Sequence, residues 1–70
     1  MQKAIYFTDL ALLYFPRSTV RSASEQLRRW ISLNPDLQRR LAELHYQPRQ
    51  RALTPLQREA IERFLGKPGE

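Results

Sequence analysis

Five prolines cut this chain of 70 residues into short segments, and that division constrains the fold more than any other feature of the sequence. Proline disfavours helical geometry in the residue before it and has no amide to donate inside a helix. Pro16 therefore stops an apolar helix expected over about residues 9–15. Asn34-Pro35 closes a second helix and opens a third, Pro48 lies in a turn with Tyr46, Gln47 and Arg49, and Pro55 takes the first position of a fourth helix. Pro68, two residues after Gly66, keeps that last helix from resuming. Helices this short are marginal in isolation, so each must be held by an apolar face packed against the others.

The second helix has the clearest face. It begins between Ser18 and Ser22, and Ala23, Leu27, Trp30 and Ile31 recur at helical spacing, which places Trp30 in the core rather than on a stacking surface. Ser22, Glu25, Arg28, Arg29 and Ser32 take the opposite side. The first helix buries Leu10, Ala11, Tyr14 and Phe15 and turns Leu12 or Leu13 toward solvent. The third, from Pro35 to about His45, is capped by Asn34, carries Asp36 in its first turn and buries Leu37, Leu41 and Leu44. The fourth, residues 55–65, buries Leu56, Ala60, Ile61 and Phe64 and ends at Gly66.

Thr54 with Gln57 three residues later reads as a capping box for the fourth helix, and Thr8 is assigned the same N-cap position on the first. Just before these threonines, residues 3–7 and 50–53 read as two short strands that pair antiparallel. Two strands are not stable alone, so the ribbon must lie on helices. The expected architecture is a mainly α domain over residues 1–66, with four short helices, a helix-turn-helix-like pair and a small two-stranded antiparallel ribbon. Residues 67–70 are expected to form a frayed tail.

A single domain of this size buries only about 60% of the surface that its unfolded chain exposes. There is no cysteine to supply a disulfide or a thiolate metal site, so self-association as a homodimer is one expected route to stability. The sequence offers no long apolar run behind Met1, which leads to the expectation of a cytoplasmic protein that neither enters nor coats a membrane.

Charge is distributed unevenly. Ten of the twelve basic residues are arginine, and the whole excess of +5 lies between Arg17 and Arg51, where eight arginines face Glu25, Asp36 and Glu43. Both flanks are neutral. Arginine binds phosphate through a planar fork, so a polyanion is the natural partner class, with simple solubility as the competing explanation.

Catalytic chemistry has little to stand on. His45 is the only histidine and lies near a helix end, which suits a surface residue rather than a ligand or base. Glu25, Glu43, Glu59 and Glu62 each have an arginine four residues away, namely Arg29, Arg39, Arg63 and Arg58, and solvated helix pairs explain them. The only glycines are Gly66 and Gly69, too late in the chain for a phosphate-cradling loop. No enzyme activity, cofactor, metal or small-molecule substrate is therefore expected.

Nucleic-acid binding needs only donors on a presentable helix, braced by another. Arg17, Ser18, Thr19 and Arg21 at the entry of the second helix are placed to meet phosphates, and Ser22, Glu25, Gln26 and Arg28 to reach base edges in a major groove. Arg49 and Arg51, beside the ribbon, would add a small wing. The expected function is a non-enzymatic DNA-binding module, a regulator or an accessory protein of mobile elements. The alternative is a protein-interaction adaptor or homodimer that uses Leu12 or Leu13 and binds no nucleic acid.

At Leu10-Ala11, Tyr14-Phe15-Pro16, Arg29-Trp30-Ile31 and Asn34-Pro35, then Tyr46, Pro48-Arg49, Leu53-Thr54-Pro55 and Leu65-Gly66, the sequence resembles a family of small bacterial domains of unknown function associated with Bacteroidales. The resemblance spans nearly the whole chain and implies a compact, mostly helical domain. It implies no activity and brings no functional residues. More distantly, residues 8–31 are similar to the helix-turn-helix of excisionase-like and MerR-like DNA binders. Those motifs often have a compact turn in which glycine is common, whereas the bulkier Phe15-Pro16-Arg17-Ser18-Thr19 stands here and would alter the crossing of the two helices.

Overall fold

The structure is a computed structural model that describes residues 4–68. Four helices, α1 (Phe7–Tyr14), α2 (Val20–Ser32), α3 (Pro35–Glu43) and α4 (Pro55–Leu65), are joined with two short strands, β1 (Ile5–Tyr6) and β2 (Ala52–Leu53). The strands pair antiparallel, Ile5 opposite Leu53 and Tyr6 opposite Ala52. This is the mainly α architecture with a two-stranded ribbon that the proline spacing and helical stripes imply. Lys3, expected in the first strand, and residues 69–70 of the expected tail lie outside the described residues.

One core holds all the elements. Phe7, Leu10 and Ala11 of α1, Ala23, Leu27 and Ile31 of α2, Leu37 and Leu41 of α3, Leu53 of β2, and Ala60 and Ile61 of α4 are buried together. Burying one such leucine contributes roughly 1.5–3 kcal/mol, so most of the stability comes from these few side chains. Leu12, Tyr14, Phe15 and Leu44 pack against the cluster at its edges, and Leu13 is left exposed.

The caps follow the sequence at α3 and α4 and depart from it at α1, while α2 starts within the expected span from Ser18 to Ser22 on a Thr19 cap. The Asn34 side chain accepts from the Leu37 amide at 3.0 Å, and Thr19 accepts from the Ser22 amide at 3.1 Å. Thr54 and Gln57 form the full capping box: the Thr54 hydroxyl accepts from the Gln57 amide at 3.2 Å, and the Gln57 carbonyl oxygen from the Thr54 amide at 3.0 Å. Thr8 caps nothing. Helix α1 begins at Phe7 with Tyr6 at the N-cap and no side-chain bond there. The Phe7 amide donates to the Arg51 carbonyl at 2.7 Å, so the ribbon satisfies the first helical donor and removes the need for a capping hydroxyl.

Gln57 does more than cap. It is buried, its amide nitrogen donates to the Leu44 carbonyl at 3.0 Å, and its carbonyl oxygen also accepts from Gln50. The start of α4 is thereby tied to the end of α3 and to the chain entering β2.

Helix α3 stops at Glu43, short of the expected His45. His45 takes a left-handed conformation, φ 64°, while its amide donates to Ala42 and the Tyr46 amide to Leu41. These two bonds are the Schellman pattern that ends a helix, here with histidine where glycine is usual. Gly66 ends α4 with φ 85° and accepts a hydrogen bond from the Tyr14 hydroxyl, which pins the end of α4 to α1.

Candidate nucleic-acid interface

Helix α2 and the connection leading into it carry eight of the ten candidate residues, and the start of the helix is fixed by its own polar side chains. Besides the Thr19 cap, Gln26 donates from its amide to the Ser18 hydroxyl at 3.0 Å and to the Ser22 hydroxyl at 3.2 Å. Gln26 thus folds the connection back onto the helix. Ser18 and Thr19, expected among the phosphate contacts, already use their oxygens to hold α2 in place.

At 100° per residue the exposed side of α2 divides into two flanks and a ridge. Arg21 and Arg28, seven residues apart, lie on one flank. Ser22 and Gln26 lie toward the other, together with Trp30, and Glu25 and Arg29 form the ridge between them. The candidates therefore wrap around the helix instead of lining one narrow stripe.

The arginine flank runs into the ribbon. The Arg28 guanidinium sits over the Phe7 ring, 5.3 Å from its centroid, and Phe7 is the residue bonded through its amide to Arg51. Arg28 also borders a groove of about 320 Å³ between α2, α3 and the turn after α3, whose lining includes Tyr46 and Pro48. Burial pushes the Tyr46 phenol pKa up, and the nearby Arg28 charge opposes that shift. Arg28 and the backbone of the segment that carries Arg49 and Arg51 accordingly meet at one corner. Neither Phe7 nor Tyr46 is among the residues that the sequence points to; an aromatic seated under a guanidinium is visible only once the start of α1 and α2 are placed side by side.

The other flank is aromatic. Trp30, expected in the core, is 41% exposed. Its indole is held edge-on by Phe15 at 4.8 Å and Tyr14 at 6.2 Å, from the end of α1. Phe7 at the start of α1 meets one flank of α2 and the end of α1 meets the other, so α1 crosses the buried face and its last aromatics support Trp30 from the side only. Two further expected core residues, Leu56 and Phe64 of α4, are 60% and 40% exposed. Both line a groove that α4 forms with Arg40 of α3.

All eight arginines from Arg17 to Arg51 are exposed. Among the described residues only two of them engage an acid: Arg21 meets Glu25 at 3.5 Å and Arg40 meets Glu43 at 3.4 Å. These pairs replace the expected Glu25–Arg29 and Glu43–Arg39. The third pair, Arg58 with Glu62 at 3.3 Å, is one of the two expected on α4, and the other, Glu59–Arg63, does not form among the described residues. Exposed pairs of this kind contribute at most about 1 kcal/mol and leave a guanidinium free to exchange partners.

Among the described residues no three His, Cys, Asp or Glu side chains come together as a metal site, and no helix is long and apolar enough to cross a membrane. Neither the curated proteins nor the solved structures contain a match to this chain. A family model does match it, over residues 2–68. The chain thus belongs to the family described as Domain of unknown function (DUF4248).

Proposed function

We infer that the chain is a non-enzymatic DNA-binding module that presents α2 and the adjoining ribbon corner to the phosphate backbone. The observation that carries this reading is the exposure of all eight arginines between Arg17 and Arg51, of which only two stand opposite an acid among the described residues. A polyanion would find there a dense set of available donors.

Within this reading Arg17, Arg21, Arg28, Arg49 and Arg51 contact phosphates. Ser22, Glu25, Gln26 and Arg28 are the candidates for base edges, while Ser18 and Thr19 act indirectly by fixing the start of α2. The Arg21–Glu25 pair would open so that Arg21 moves to a phosphate and Glu25 accepts from a cytosine amine. The order of a short apolar helix followed by a polar-faced second helix is what supports the likeness to excisionase-like and MerR-like domains, and with it a place in regulation or in mobile-element accessory complexes, although the five-residue connection departs from their turn.

A mobility-shift titration with random-sequence duplex, repeated over a series of salt concentrations, tests the reading. Binding that weakens steeply with salt is expected, because each neutralised phosphate releases condensed counterions. A chain that leaves the duplex unshifted even at low salt overturns it.

A further inference from the structure

Trp30 stands at the edge of the fold with a polar concavity beside it. The ring is 41% exposed, and Phe15 and Tyr14 meet it at interplanar angles of 68° and 71°, so neither lies flat against the indole. Both of these supports pack against the core, which fixes the position of the indole. The concavity, about 290 Å³, is lined by Trp30 with Ser22, Glu25, Gln26 and Arg29 of the same helix.

Its polar groups fall into two kinds. Arg29 is exposed, and among the described residues it has no acid within ion-pair distance. Glu25 offers only acceptors, and Gln26, whose amide nitrogen donates to Ser18 and Ser22, has its carbonyl oxygen left to accept.

We propose, on the reading that α2 meets nucleic acid, that this site takes an unpaired guanine of a single strand, stacked on Trp30 with a backbone phosphate on Arg29. An aromatic ring stacks on any base, and an unstacked base is free to present its Watson–Crick edge. That edge of guanine carries two adjacent donors, N1–H and the N2 amine, which match the two oxygens of the Glu25 carboxylate. Thymine carries one donor between two acceptors. The exposed contact of Glu25 with Arg21, at 3.5 Å, exchanges readily and does not block the site. In a duplex the same guanine edge is used in pairing and neighbouring bases cover the ring faces, so the site selects the unpaired form. A purely anionic partner would set its charge against Glu25, and an apolar one would leave Arg29 unanswered. A guanine nucleotide answers both and covers the indole.

Trp30 is the only tryptophan of the chain, so its emission reports on this site alone. The probes are a thymidine hexamer with one central guanosine, an all-thymidine hexamer and a random-sequence duplex, unlabelled for emission and fluorescein-labelled for anisotropy, at low salt. The guanosine strand should quench Trp30 and bind about tenfold tighter than the all-thymidine strand, the discrimination of one bidentate contact. Trp30→Ala should weaken binding of the guanosine strand about tenfold or more, and Trp30→Phe, which keeps a stacking ring, by less. Glu25→Gln should remove most of the preference for guanosine. Duplex binding should be the same in Trp30→Ala as in the wild type. Circular dichroism melting verifies that the variants fold. Anisotropy that reports binding of the guanosine strand while Trp30 emission stays unchanged overturns the proposal, as does equal affinity for the two strands, or equal affinity of Trp30→Ala and the wild type for the guanosine strand. A chain that binds duplex and neither strand overturns it while the duplex reading stands. A chain that binds none of the three probes takes both down.

Discussion

Tyr14 is a small hinge pin between the two ends of the fold. Its ring packs at the edge of the core and against Trp30, while its hydroxyl donates to the Gly66 carbonyl just beyond α4. Burial pushes its pKa from 10.0 up to about 12, and the Glu62 carboxylate adds to the rise while Arg58 opposes it. Folding therefore favours the protonated phenol, the only form that can donate to Gly66. The stability this residue contributes is fully present below the unfolded pKa of 10.0 and is lost as pH rises through about 12. Tyr14→Phe should cost about 0.5–1.5 kcal/mol at neutral pH, the net value of one hydrogen bond. Between neutral pH and about pH 11, just above the unfolded phenol's pKa, the wild-type chain should lose more stability than Tyr14→Phe does. Urea unfolding midpoints at the two pH values measure both effects, and equal losses would show that the Tyr14 proton is not linked to folding.

At the scale of elements, the two threonines that follow the strands make a controlled comparison. Thr54 accepts the Gln57 amide and stands in a reciprocal box, whereas Thr8 sits inside α1 with the first donor already satisfied from the ribbon. Thr54→Ala should destabilise the chain by about 1 kcal/mol and Thr8→Ala by less than about 0.5 kcal/mol. Thermal unfolding of the pair checks this, and equal costs would mean that Thr8 does cap. The contrast also shows what could be read from the sequence. A signal confined to four consecutive residues, such as Thr54-Pro55 with Gln57 or Asn34-Pro35, gave helix starts that agree with the structure. A start set by a partner remote in the chain, as Arg51 sets that of α1, leaves no local trace. The same holds for Trp30, Leu56 and Phe64: helical periodicity gives the direction of a side chain, but whether another element reaches far enough to cover it depends on how the short helices cross. His45 is a third case. The sequence has no glycine between Met1 and Leu65, so the turn after α3 takes its left-handed residue from what is there. For the candidate interface, the basic stretch was legible from composition, while the structural work of Ser18, Thr19 and Gln26 and the corner formed by Phe7, Arg28 and Arg51 needed the tertiary arrangement.

For the molecule as a whole, the question is whether its positive charge acts as a located surface or as a total. The exposed arginines are spread over α2, α3 and the approach to β2, and net charge alone would attract a polyanion to any of them. Helix α3 supplies a control of equal charge. Arg39 and Arg40 are exposed, as Arg21 and Arg28 are, and Arg40 lines the groove toward α4 while Gln38, Leu41 and Ala42 line the one shared with α2. The double variants Arg21→Gln/Arg28→Gln and Arg39→Gln/Arg40→Gln each remove two charges. If α2 and the ribbon corner carry the contacts, the first should reduce the slope of log affinity against log salt by about 1.8, two phosphate contacts at 0.9 each. The second should change it by less than half as much, with the chain kept too dilute to self-associate. Melting curves account separately for the loss of the Arg28 contact with Phe7. Equal reductions in the two variants would place the attraction in the total charge and remove α2 from the role of a reading helix.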